Sequence, residues 1–144
     1  MKTLTKKEIN QISEHRKIRF WVVENSFYLF FIIYFTEHIK YSLADFHKEM
    51  IELAEDDNID LLNIISFRWS WKSTILNTAF VIWSILCKPN KKFILLLWKT
   101  QNQSKIFLEN IKIELETNEL LIKDFWLFKY DIKKKKLHLK TLIF

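Results

Sequence analysis

The chain holds no glycine in 144 residues and a single proline, Pro89. Glycine is the residue that enters positive φ without a steric penalty, so any turn needing a left-handed residue is built here against the Cβ atom. At a usual frequency of about 7%, a chain of this length would hold roughly ten glycines. Six tryptophans accompany the absence. One reading covers both oddities: several of the tryptophans stand for UGA codons that the source reads as glycine.

The length fits one domain or part of one, with enough chain to bury a core. Hydrophobic residues at 49% and charged residues at 28% suit a soluble globular protein. The lone cysteine, Cys87, excludes an internal disulfide framework and suits a reducing cytosol. The N-terminus, MKTLTKKEINQ, is too polar for a signal peptide. The longest lipid-like run, Phe27 to Phe35, is far short of the roughly 20 residues of a spanning helix, so no membrane is expected and a cytoplasmic location is. A net charge of +6 and a pI near 9.3 allow a polyanionic partner. The basic side is almost all lysine, with only Arg16, Arg19 and Arg68 as arginines, which an AT-rich gene produces by itself.

Residues 1–57 read as an N-terminal helical segment and 58–144 as a second region. Leu4 to His15 is charged and amphipathic, and Phe20 to Ile39 is strongly apolar. Ser42 is the candidate N-cap of a helix over Leu43 to Ala54, along which Leu43, Phe46, Met50, Ile51 and Leu53 recur near helical spacing. After the turn "EDDNID", Leu61 to Phe67 is a short apolar run suited to a strand buried on both faces. Lys72 to Cys87 follows as a helix apolar nearly all round, hence buried. "KPNKK" is a turn, Phe93 to Leu97 a second apolar strand, and Gln101 to about Asp124 an amphipathic helix with Ile106, Phe107, Asn110, Ile111 and Leu115 on one face. The tail from Lys129 carries the Lys133–Lys136 run and then an alternating "LHLKTLIF". Strand, helix and strand over residues 61–97 predict a βαβ unit and an α/β fold, a parallel sheet flanked by helices. His15, His38, His47 and His138 are scattered, with no metal-ligand spacing.

Between the first strand and the buried helix lies "ISFRWSWKST", residues 65–74. A nucleoside triphosphate is held by consecutive backbone N–H groups at a helix N-terminus, a lysine, and a hydroxyl on Mg²⁺. Here Lys72 would reach the β and γ phosphates, Ser73 would hold Mg²⁺ and Thr74 would support the first turn. Such loops use glycine, whereas Trp69 and Trp71 stand at two of these places. Taken literally, each indole at positive φ costs about 1–3 kcal/mol. The alternative is an inert turn.

With glycine at those two positions the loop reads FRGSGKST. The chain then resembles the N-terminal part of the ATPase domain of tailed-phage terminase large subunits, over residues 26–128. The resemblance runs through "DFHKEMIELAE" (45–55), the loop, and "KKFILLLWKTQNQSKIFLENIKIELETNELLIKDF" (91–125). It implies a P-loop NTPase-like fold, incomplete here and preceded by the helical segment, with ATP and Mg²⁺ as cofactors. Ser66, Phe67, Arg68, Trp69, Ser70, Trp71, Lys72, Ser73 and Thr74 would bind the nucleotide, with Arg68 and Lys72 catalytic and Ser73 on the metal. Phe46 and His47 would lie towards the adenine, and Thr100 and Gln101 would couple the nucleotide state to DNA. Implied partners are double-stranded DNA, the portal, the small terminase subunit and further copies of the chain, in the host cytoplasm and transiently at the prohead.

Ser66 departs from the family pattern, standing where the first loop glycine falls. A Walker B strand ending in Asp or Asp-Glu is missing, as is the nuclease domain, so the chain is expected to be a fragment without ATPase or nuclease activity alone. Within the resemblance glycine is natural at Trp69, Trp71 and Trp126 and extends to Trp98 and Trp21, while Trp83 fits as tryptophan. Two other readings stay open: a helicase-like P-loop motor, and a non-catalytic basic interaction protein with genuine tryptophans.

Overall fold

The computed structural model describes residues 12, 14–39, 42–68, 70–88 and 93–125. The chain divides into two compact units, Met1–Ser66 and Phe67–Phe144.

The first unit is built from α1 (Arg16–Asn25), α2 (Phe27–Tyr34), a 3₁₀ turn at Thr36–His38 and α3 (Asp45–Glu55). The apolar stretch from Phe20 is not one helix, because Ser26 adopts an extended backbone and its Oγ accepts the Leu29 N–H at 3.4 Å. That cap restarts the chain as α2. Helix α2 buries Phe27, Tyr28, Phe30, Phe31, Ile33 and Tyr34 and packs on both α1 and α3. Its aromatic rings also pack on one another, Phe30 with Tyr34 at 4.8 Å and Phe31 with Phe35 at 5.6 Å between centroids. Thr36 closes the helix by donating its hydroxyl to the Ile32 carbonyl at 2.8 Å.

Helix α3 begins later than expected, and Ser42 is not its cap. Ala44 holds that place, and its N–H donates to His47 Nδ1 at 3.1 Å. Asp45 in the first turn complements the helix dipole and accepts from Lys48 Nζ at 2.9 Å. At the other end Asn58 donates its backbone and side-chain N–H to Asp56 Oδ1 at 2.9 and 2.8 Å, which holds that carboxyl below the usual carboxylate range.

The second unit starts with a continuous helical segment, wide π-type turns over Ser73–Phe80 leading into α4 (Val81–Cys87). Both parts pack against α5 (Gln101–Thr117), which also contacts α6 (Glu119–Asp124). Ile75, Ala79, Ile82 and Trp83 are fully buried, as is Ile111 of α5. Helix α5 is capped by Thr100, whose hydroxyl accepts the Gln103 N–H at 3.4 Å. Its buried stripe runs through Ser104, Ile111 and Leu115, with Phe107 and Leu108 half-buried between them. Ile106 and Asn110 face solvent, so the packed face lies one step round from the face expected. Asn118 ends α5 and caps α6, its Oδ1 accepting the Leu121 N–H at 3.1 Å.

The expected parallel sheet is absent: among the described residues there is no strand. Residues 61–67 and 93–98 carry no regular secondary structure and no hydrogen-bonded ladder. In the second stretch Phe93, Leu95 and Leu97 are exposed while Ile94, Leu96 and Trp98 are half-buried, the period of two of extended chain. An apolar run makes extended backbone favourable, but a strand exists only when its N–H and C=O groups are paired by a neighbour. Here 61–66 fall in one unit and 93–98 in the other. The described fold is helical, which overturns the α/β, P-loop NTPase-like sheet expected from the βαβ pattern. The expectations for Leu4 to Gln11 and for the tail from Lys129 lie outside the described residues. No described helix is long and apolar enough to cross a membrane.

Candidate phosphate-binding loop

Arg68, Ser70 and Trp71 lie in turns and bends ahead of the helix that starts at Ser73, with Lys72 as its N-cap. The first helical hydrogen bond runs from the Ile75 N–H to the Trp71 carbonyl at 2.9 Å. The N–H groups of Lys72, Ser73 and Thr74 therefore lie ahead of that bond, where a helix has no internal acceptor to offer them. Trp71 sits at φ 55°, the one positive-φ residue among those described. A left-handed residue turns the chain sharply into the helix, and at a residue with a Cβ atom it costs about 1–2 kcal/mol.

The side chains divide by exposure. Phe67 and Arg68 are exposed, Ser70 is buried, Trp71 and Lys72 are half-buried, Ser73 is exposed and Thr74 half-buried. Trp69 lies outside the described residues. Ser66 closes the first unit, half-buried, and the loop from Phe67 onward belongs to the second. Phe46 and His47, expected near an adenine, are half-buried residues of α3 in the first unit, their rings 3.9 Å apart. His47 serves the N-terminus of that helix. Thr100 does what a helix cap does, and Gln101 is exposed in the first turn of α5.

The electrostatics favour an anion. The helix that starts at Ser73 has no acidic residue in its first turn, and a helix N-terminus carries partial positive charge. The sequence holds a stronger signal that its overall charge conceals. Between Asp60 and Glu109 there is no acidic residue at all, against seven lysines and arginines, Arg68 and Lys72 among them. That excess is larger than the net +6 of the whole chain. Listing acids by position, rather than in total, would have found it.

By type these are donors that a polyphosphate uses: backbone N–H groups at a helix start, two cationic residues close to it in sequence and the Ser73 hydroxyl, with no nearby carboxylate in sequence to repel it. They do not make a metal site by themselves. Among the described residues no cluster of three His, Cys, Asp or Glu could hold an ion. Mg²⁺ would have to arrive with the phosphates and take Ser73 as its protein ligand. The poor fit is Trp71, whose bulk stands where the backbone must approach an anion closely.

Comparison with protein-family models, with characterised proteins and with solved structures gives no match.

Proposed function

We propose that residues 67–74 form a phosphate-binding loop and that the chain is the ATP-binding part of a DNA-packaging motor of the terminase large-subunit kind. The observation that supports the loop best is the left-handed residue directly before a lysine, at the head of a buried helix. Lys72 would meet the β and γ phosphates, Arg68 the charge that grows on the γ-phosphate in phosphoryl transfer, and Ser73 the Mg²⁺. The packaging role rests on the sequence resemblance, with DNA, the portal and the small terminase subunit as partners in the host cytoplasm.

Titration of a Trp69→Gly/Trp71→Gly chain with fluorescent ATP and Mg²⁺ tests the reading. Saturable binding is expected, weakened about 10- to 100-fold by Lys72→Ala, the range for loss of a hydrogen bond to a charged group. Absence of binding in both the original and the double variant would remove the chemical basis of the proposal.

A second reading, a basic interaction protein without nucleotide chemistry, is favoured by one feature. Leu61 and Ile65 of the first unit, both 90% exposed, present apolar side chains that a partner could cover. Binding of double-stranded DNA with no response to ATP in either chain would select it.

A further inference from the structure

We propose that position 71 is occupied by glycine and position 83 by tryptophan in the protein as its own cell makes it, so that two kinds of codon lie behind the letter W. A single reading of all six tryptophans, as indole or as glycine, does not meet what the two positions require. The inference stands whether or not the loop binds a nucleotide.

At 71 the backbone asks for a residue without Cβ. Its φ of 55° is the only positive value among the described residues, in a chain that otherwise provides no glycine for such a place. It also directly precedes the N-cap of a helix, where a shift in φ would misdirect the segment that carries Ile75, Ala79 and Ile82 into the core.

At 83 the requirement is opposite. Trp83 is fully buried inside α4, the largest side chain in the core. The Phe80 ring lies 5.7 Å from it, and the Lys88 ammonium sits 4.8 Å over its face. Glycine there would leave a large void and weaken the helix interior as well. Position 71 is therefore assigned a UGA codon read as glycine, and position 83 a UGG codon.

Two measurements test this. Tryptic peptides from the native source, one ending at Lys72 and one running from Ser73 to Lys91 because Pro89 blocks cleavage after Lys88, are expected to show the glycine mass at 71 and the tryptophan mass at 83. Tryptophan at 71, or glycine at 83, overturns the proposal. The backbone requirement is read separately from paired variants of the recombinant chain. Trp71→Gly and Trp71→Ala both remove the indole, so their difference reports only the Cβ atom. The glycine variant is expected to melt about 4–8 °C above the alanine variant. The order reverses for Trp83→Gly and Trp83→Ala, because position 83 is helical. An alanine variant as stable as the glycine variant at 71 counts against a left-handed residue there.

Discussion

The two units differ most in their charge. Residues 1–66 carry eight lysines and arginines against eleven acids, a net −3, whereas residues 67–144 carry fifteen against six, a net +9. The first unit closes its helices with short local devices at Ser26, Ala44, Thr36 and Asp56, and fills its interior with aromatic rings. In the second unit a buried helix opens on a left-handed residue, and cationic side chains flank that opening. The first arrangement serves packing. The second sets a helix N-terminus and positive charge close together in sequence, which packing alone does not call for.

The strongest challenge to this contrast is to damage one core and watch the other. Trp83→Ala should cost about 3–5 kcal/mol. Amide exchange should then quicken over residues 75–115 while Phe27–Phe35 stay protected. Loss of protection in both would show that the two units fold as one. The next effect is on polyanion binding. Arg68→Glu with Lys72→Glu should weaken binding to double-stranded DNA and reduce its salt slope by about 1.8, at about 0.9 per phosphate contact. The matching pair Lys17→Glu with Lys48→Glu, in the first unit, should change it little. Equal losses from both pairs would mean that charge segregation does not locate the partner.

A smaller effect separates the units by pH. Burial pushes the Tyr28 hydroxyl above its ordinary value of 10.0, with Lys48 opposing the shift. The neutral phenol is the form the fold favours, so its contribution is complete below about pH 10 and is lost as pH rises through the folded-state value. Alkaline titration of stability should show this loss, and Tyr28→Phe should remove it. The least effect is expected at Ser84, a buried residue whose hydroxyl has no hydrogen-bond partner among the described residues. Ser84→Ala should be neutral or stabilising by up to about 1 kcal/mol, measured by urea denaturation.

The helices were legible in the sequence because their cause is local. The apolar surround of residues 72–87 announces burial, and Thr100 lies where a cap belongs. The break at Ser26 was harder to see, since apolar residues continue on both sides and only the serine hydroxyl marks the restart. Leu61–Phe67 and Phe93–Leu97 have strand composition, yet a sheet depends on partners that a single segment cannot specify. That a turn precedes the buried helix near Lys72 was legible from the polar residues between two apolar runs. Its strained residue was legible only as one of two candidates, and of that pair the described residues include Trp71. The acid-free span could have been read at once, but averaging over the chain hides it.

That span has a consequence for any titration of the protein. From Leu61 to Leu108 it contains no carboxylate, no imidazole and no phenol. Carboxyl and imidazole groups are the side chains that ordinarily gain or lose protons between about pH 3 and 8. A region without them presents an anion with the same charge in an acidified compartment as in neutral cytoplasm. Any pH dependence of that association across this range therefore arises outside the span, in the partner or in carboxylates such as Glu109 and Glu114 on the helix packed against it.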